Sequence, residues 1–280
     1  MKQVLGKSMA AGALTLAAAG ALIGARRMDS EEAAVRAALQ HYVNGHASGI
    51  KGEFKAAMHE QGIMYFVRDG ALALRTFPDY YAGPDGKPAE DEARRKRRIE
   101  FVDVSGNAAA GKITLEYPDV ILTDYMALLK VDGAWRIVAK SFHAERGVGG
   151  APPAPAAGMP EDEAAVRAAL QHYFNGHATG SADEFKAGMH AQGTMYSLRD
   201  GQLATMPFPE YFARVGTGTP AADESSRHRQ IDMVDVTGDA ALARVTPHYP
   251  GITFTDYMTL LKVDGHWQIV AKTVHADRKR

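Results

Sequence analysis

Glu32-Ala33-Ala34-Val35-Arg36-Ala37-Ala38-Leu39-Gln40-His41-Tyr42 recurs letter for letter as Glu163 to Tyr173, and the echo runs on toward the C-terminus. Matched residues lie 131 apart at first (Val35 and Val166) and 132 apart later (Asp103 and Asp235). The change falls around a loop that carries Ala89 to Arg95 in one copy and Ala221 to Ser226 in the other. Each copy is thus about 115 residues, the size of a self-sufficient domain, whereas units that must stack to bury a core run roughly 20–50. Two tandem domains follow, at 29–145 and 160–280. The Gly- and Pro-rich stretch 146–159 between them is unable to pack a core and reads as a linker.

Within one copy, Val35, Ala38, Leu39, Tyr42, Val43 and His46 fall on one face of an amphipathic helix. Asp29 and Glu32 suggest a capped start, Pro160 suits the first turn in the second copy, and Gly49 or Gly180 ends it. A short second helix follows, with Phe54, Ala57 and Met58 inward and His59 or His190 at its end. Met64 to Val67 and the turn Arg68-Asp69-Gly70 predict a strand and hairpin. Asp79-Tyr80-Tyr81, after a proline, predicts a third helical turn. Strands are then predicted over Ile99–Val104, Gly111–Tyr117, Ile121–Val131 and Trp135–His143. Helices first and a meander after is an α+β plan.

The last two strands are apolar on both faces, with Leu122, Met126, Leu128, Ile137 and Ala139 on one side. Tyr125, Ala127, Leu129, Val138 and Phe142 are on the other. A sheet with one bare face alternates apolar and polar, so a second layer must cover this one. The sheet of the other copy is the candidate, making the chain an intramolecular pseudo-dimer with its self-association largely satisfied within the chain.

If Asp132-Gly133 is a two-residue turn, Val131 pairs with Ala134, Asp124 faces Ser141, and His143 is its diagonal neighbour. Diagonal side chains sit roughly 7 Å apart, within reach of an Asp–His hydrogen bond suited to acid–base chemistry. Asp256, Thr273 and His275 repeat the pattern. The same pair also reads as a buried structural contact. His46 and His177 lie on the apolar helix stripe, as core histidines or pocket residues. His59 and His190 read as helix-terminal cations, with a pocket role second. Tyr65, Tyr196, Tyr117 and Tyr249 read as core or pocket wall.

The composition is 46% hydrophobic and 23% charged with a net charge of −1, which gives no electrostatic reason to expect nucleic acid. The run Arg94 to Arg98 follows Glu90, Asp91 and Glu92 and reads as a solvated strand entry. His41 and His46 are about 140° apart on a helix and do not share a metal. No metal set, cofactor loop or nucleotide fingerprint is present, and none of these cofactors is expected. Cysteine is absent, which excludes disulfides and thiol catalysis. Lys2 and Lys7, an uncharged run from Met9 to Ala25, then Arg26 and Arg27 match a signal peptide over residues 1–28. A periplasmic or secreted protein is the expectation. The alternative is an uncleaved anchor, the one route by which a membrane would be a partner.

Val35 to Tyr42, Asn44-Gly45-His46, Tyr117-Pro118, Thr123 to Met126, Leu128 to Gly133 and Trp135-x-Ile-Val-Ala-Lys140 resemble the putative lumazine-binding family, part of the nuclear transport factor 2-like superfamily. The resemblance covers both copies. It implies a cone-shaped, cystatin-like α+β fold in which helices and a curved sheet enclose a pocket, commonly in sheet-to-sheet dimers. Members of the superfamily are isomerases, cyclases, dehydratases or plain binding proteins, so fold alone does not choose. The expectation is an exported protein binding a small organic ligand through Asp124, His143 and His59, and through Asp256, His275 and His190. The alternatives are an acid–base enzyme using the same pairs, and an interaction module whose pockets are filled core.

Overall fold

A computed structural model describes residues 10–84, 86–148 and 152–279, with side chains from Met28 onward. The first nine residues of the expected leader and part of the linker lie outside the described residues. In the first half, α1 (Ala10–Ser48) and α2 (Lys51–Ala57) lead into β1 (Met58–Arg68), β2 (Ala71–Thr76) and α3 (Phe77–Ala82). The meander β3 (Lys96–Ser105), β4 (Ala108–Tyr117), β5 (Val120–Val131) and β6 (Ala134–Arg146) follows. The second half repeats this as α4 (Pro160–Thr179), α5 (Ala182–Gly188), β7 (Met189–Arg199), β8 (Gln202–Pro207) and α6 (Phe208–Val215). It ends with β9 (His228–Thr237), β10 (Ala240–Tyr249), β11 (Ile252–Val263) and β12 (His266–Arg278). Each sheet has six strands, in the order β2-β1-β6-β5-β4-β3 and its equivalent, antiparallel but for the parallel β1–β6 and β7–β12 pairs.

The first copy's helix does not begin at Asp29, because α1 runs through that position from Ala10. In the second copy it begins at Pro160, as the proline predicts, and both helices stop at a left-handed glycine, Gly49 (φ 69°) and Gly180 (φ 70°). Among the described residues no helix is long and apolar enough to cross a membrane. The one-residue offset arises earlier than the sequence suggests. Gly86 bonds back to Gly49 and Gly218 to Gly180, so the second copy has already gained its residue between Tyr81 and Gly86.

Two layers of apolar side chains form on each sheet. On the helix side Val35, Leu39, Tyr42, Phe54, Phe77, Ile113, Leu115, Met126, Leu128 and Ile137 build the core of the first cone. The second cone has the matching set. On the other side Tyr125, Ala127, Leu129, Val138 and Ala139 pack against Leu242, Tyr257, Leu261 and Ala271 of the other half in one continuous cluster. The doubly apolar strands are therefore explained by a sheet-to-sheet pseudo-dimer within one chain, and the fold is two tandem nuclear transport factor 2-like cones.

Polar pairs ring this seam with pseudo-two-fold symmetry. Tyr257 Oη donates to Asp103 at 2.9 Å and Arg244 pairs with the same carboxylate at 3.0 Å. Tyr125 and Lys112 do likewise with Asp235, the lysine at 2.6 Å. The hairpin tips interlock through backbone bonds, Asp132 N–H to Gly201 and Asp264 N–H to Gly70.

Candidate functional site

The two-residue turn is present: Val131 pairs with Ala134, and Asp132 (φ 50°) and Gly133 (φ 78°) have the left-handed backbone of a type I′ hairpin. The expected Asp124–Ser141–His143 cluster is nevertheless absent. Leu128 pairs with Ile137 but Ala127 pairs with Ala139, so Val138 is an extra residue and the ladder shifts by one. A β-bulge puts two successive residues on one face and exchanges the faces beyond it. Ala139, Ser141 and His143 turn toward the seam, while Lys140 and Phe142 turn into the cone. Asp124 faces Phe142 and is diagonal to Lys140. The second sheet bulges at Val270 in the same way, pairing Asp256 with Val274. His275 is thereby separated from Asp256.

What the bulge brings together is a buried Lys–Asp pair. Lys140 Nζ lies 2.9 Å from Asp124 Oδ1, and Lys272 Nζ lies 2.7 Å from Asp256 Oδ1, with all four side chains at most 5% exposed. Tyr42, on the apolar stripe of α1, donates to Asp124 Oδ2 at 2.8 Å and accepts from Lys140 Nζ at 2.7 Å. Tyr173 does the first of these for Asp256 at 2.9 Å. From Tyr42 a chain of hydrogen-bonding groups runs to the mouth of the cone. Tyr42 Oη is 3.1 Å from Tyr80 Oη, Tyr80 Oη is 2.7 Å from His46 Nε2, and His46 Nδ1 is 3.1 Å from Tyr117 Oη. His177 and Tyr211 repeat the histidine link at 2.7 Å. His46, Tyr80, Tyr117 and Phe142 are half-buried, whereas Tyr42, Asp124 and Lys140 beneath them are buried.

Burial sets the charge states. The His46 imidazole is held well below its ordinary pKa by burial, with Lys140, Arg97 and Arg95 adding to the effect. Burial, with Lys272, Arg229 and Arg227, pushes His177 down to about 3. Both are therefore neutral at physiological pH, each with one nitrogen donating and one accepting. Burial likewise holds the Lys140 ammonium below the ordinary lysine range, partly offset by Asp124. The hydroxyls of Tyr42 and Tyr80 are raised by burial and by Asp124 and stay protonated.

The remaining predicted residues sit elsewhere. His59 and His190 do not end the second helix. That helix stops at Ala57 or Gly188, and both histidines lie in the following strand, accepting a backbone N–H at Nδ1 from Gln61 (3.2 Å) and Gln192 (3.1 Å). His190 lines an outer groove of about 550 Å3 with Trp267, His172 and Asp264. The groove is open and its Trp267 and His172 are already bonded, to Asp162 and Glu184, so the cone floor carries the stronger chemistry. Tyr65 and Tyr196 meet hydroxyl to hydroxyl at 3.1 Å between the two sheets. Arg97 is not a solvated strand entry. It is buried, pairs with Glu92 at 2.6 Å, and donates to the His46 carbonyl at 3.0 Å, holding the end of α1 over the mouth. Arg229 and Glu224 keep the same pair.

His143 and His275 are seam residues. His143 Nδ1 is 2.7 Å from Asp239 of the other half, and His275 Nδ1 is 2.7 Å from Asn107. Burial opposes the charge on His143, but Asp239 and Glu145 outweigh it and the pKa is raised; His275 meets Asn107 instead of a carboxylate across the seam, and burial lowers it, with Asp277 offsetting only part. A raised folded pKa gives stability that is complete below about 6.5 and is lost as pH climbs through the folded value. His143→Gln is expected to cost about 1 kcal/mol or less at pH 5.5 and almost nothing at pH 8.5. Urea unfolding of both proteins at the two pH values checks this, and an equal cost at both would refute it.

Lys140, Lys272, Tyr42, Tyr173, Tyr80 and Tyr211 are the residues that sequence reasoning missed. Lysine in an otherwise apolar strand, kept in both copies, was the available signal. The mouths differ. Phe66 and Phe142 stack at 5.6 Å across the first, where the second has Ser197 and Val274, and Met195 is left half-exposed where Met64 is buried.

A family profile described as Putative lumazine-binding matches residues 30–143 and again 161–275. A curated relative, Aldolase FrzH of Cladobotryum sp., is 28% identical over 114 residues, covering 40% of this chain and 89% of that protein. Among solved structures, an NTF2-like protein of unknown function from Shewanella baltica OS155 is 25% identical with a TM-score of 0.40, covering 44% of this chain and 98% of that one. One from Methylobacillus flagellatus KT is 26% identical with a TM-score of 0.39, covering 44% and 99%.

Proposed function

The chain belongs to the Putative lumazine-binding family, and from that membership we propose that each half binds a small, partly aromatic organic molecule at the mouth of its cone. One observation carries this: both cones keep the same buried Lys–Asp–Tyr floor linked through a tyrosine to a half-buried neutral histidine. Buried ionic groups are not the cheapest way to fill a core, since apolar residues of equal volume often serve as well or better. Keeping them twice, while Phe66 and Phe142 give way to Ser197 and Val274, fits groups that meet a ligand. Apolar rings with a few convergent polar groups are the usual make-up of such a site.

The test is native mass spectrometry of the purified chain, looking for a co-purifying small molecule. In the double variant His46→Ala/His177→Ala its retention is expected to fall about tenfold, the effect of roughly 1.4 kcal/mol. His143→Ala, which touches only the seam, is expected to leave it unchanged. Retention indifferent to the histidine pair would remove the site assignment.

A second reading is enzymatic. An acid–base enzyme no longer rests on an Asp–His pair, but the Lys–Asp–Tyr floor holds a proton acceptor and a donor side by side, and the relative from Cladobotryum is named an aldolase. Export is proposed from the leader pattern of residues 1–28, and N-terminal sequencing of the mature protein tests it; a start at Met1 would be incompatible with cleavage.

A further inference from the structure

We propose that Lys140 and Lys272 are amine nucleophiles that take an aldehyde or ketone with an apolar flank as an imine on the floor of each cone. The proposal rests on the binding reading above and names the substrate class for that same site. Three features of the geometry point to it.

First, apart from Asp124 and the Tyr42 hydroxyl, the amine is surrounded by aromatic rings. Lys140 Nζ lies 4.9 Å from the Phe142 ring centre, 5.2 Å from Tyr42 and 5.3 Å from Tyr80, and two of these rings, Phe142 and Tyr80, are half-buried. Lys272 Nζ lies 5.7 Å from the Tyr173 ring. A group that meets this amine must therefore be mostly apolar around its reacting atom. Secondly, each proton the reaction moves has a place to go. Asp124 lies 2.9 Å from Nζ and Tyr42 lies 2.7 Å from it, with Tyr80 and His46 next in line. Thirdly, in the first cone the ammonium lies near Asp124 Oδ1 without forming a well-directed hydrogen bond to it, leaving that oxygen unsatisfied. Its burial favours the neutral amine, the form that attacks carbonyl carbon.

The step balances without a further reagent. Asp124 takes one proton from the ammonium, and the freed lone pair forms a C–N bond while the C=O π pair moves onto oxygen. That oxygen takes a second nitrogen proton by way of Tyr42, giving a carbinolamine. The nitrogen lone pair then forms the C=N bond as the C–O bond breaks, and the hydroxyl leaves as water with the proton held by Asp124. Ammonium and carbonyl compound become iminium and water, and Asp124 returns to its starting charge. For Lys272 the proton acceptor is Asp256, to which Lys272 donates at 2.7 Å and Tyr173 at 2.9 Å.

The probe is 2,4-pentanedione, whose iminium loses a proton from the central carbon to give a conjugated enaminone that absorbs in the near ultraviolet. The full chain is incubated with it near neutral pH and digested for peptide mapping. Adducts of pentanedione less one water are expected on Lys140 and Lys272, forming about tenfold faster than on exposed Lys51 or Lys186, because the carboxylate and ring hydroxyl beside each cone amine carry the protons that imine formation moves. Lys140→Met should remove one cone adduct and Lys272→Met the other. The wild-type map decides the matter even if a variant fails to fold: adducts confined to surface lysines, or none, overturn the proposal. A co-purifying molecule with no cone adduct sinks the imine and leaves the binding reading standing; absence of both removes both.

Discussion

Asp124→Ala is expected to destabilise the protein by about 3–5 kcal/mol, the cost of leaving one member of a buried ion pair alone. Asp124 is fully buried and Lys140 nearly so. The truncated protein has two ways to relax. It can keep a buried, unpaired ammonium, which costs several kcal/mol. It can instead release the proton, which at pH 7 costs about 4–5 kcal/mol for a lysine whose unfolded pKa is near 10.4. The similar size of the two estimates sets the range. They differ in pH dependence, which makes the claim sharp. In the variant the folded lysine has a depressed pKa, so the unfolded chain binds more protons and stability rises with pH. Moving from pH 7 to pH 9 should recover about 1–2.7 kcal/mol of the loss, the upper figure when the lysine is already neutral at pH 7. The double variant Asp124→Leu/Lys140→Met should regain most of the stability at every pH, because an apolar pair of similar volume carries no desolvation cost. Denaturant unfolding across pH measures both. A single-variant loss under about 1 kcal/mol, or one that does not shrink with pH, would show the pair to be solvated or absent.

The outline of the fold was legible because it depends on period and repetition. The stripe Val35 to His46, the Asp-Gly turns and the doubly apolar strands β5 and β6 each have one physical solution, and two copies said so twice. The site was not legible because it depends on a single extra residue. Counting from Asp132-Gly133 gives correct partners as far as Leu128 and Ile137 and wrong ones beyond. Bulges leave no period of their own. Two signals did exist. One is Lys140, a charge at what straight alternation makes a seam position between Ala139 and Ser141, repeated as Lys272. The other is Gly62 with its counterpart Gly193, a glycine inside a strand, which often marks close approach of another backbone. The short second helix reads two residues too long, through Met58 and His59, because its apolar spacing continues into the strand that follows, and the Arg94 to Arg98 run hides one buried arginine among more exposed neighbours.

Gly62→Ala is expected to cost about 3 kcal/mol, the upper end of the usual range for overpacking, and to disturb the floor of the first cone without touching it. A Cβ on Gly62 would stand 2.3 Å from the Phe77 ring and 2.8 Å from the carbonyl oxygen of Val138, the bulged residue. The second copy is built alike, with Phe208 at 2.4 Å and Val270 O at 2.7 Å from Gly193. A ring can turn aside, but the carbonyl belongs to the β6 backbone, and moving it means moving the bulge that aims Lys140 into the cone. Phe77→Leu in the Gly62→Ala background separates the two obstacles. If the carbonyl dominates, the second change restores little, and the double variant loses the fast-reacting cone lysine of the first half while that of the second half persists. If Phe77→Leu alone restores stability and lysine reactivity, the ring was the whole obstacle, and the bulge would not depend on a glycine beside it. Unfolding midpoints and the two-site peptide map together read the outcome, with the untouched second cone as an internal reference in the same molecule.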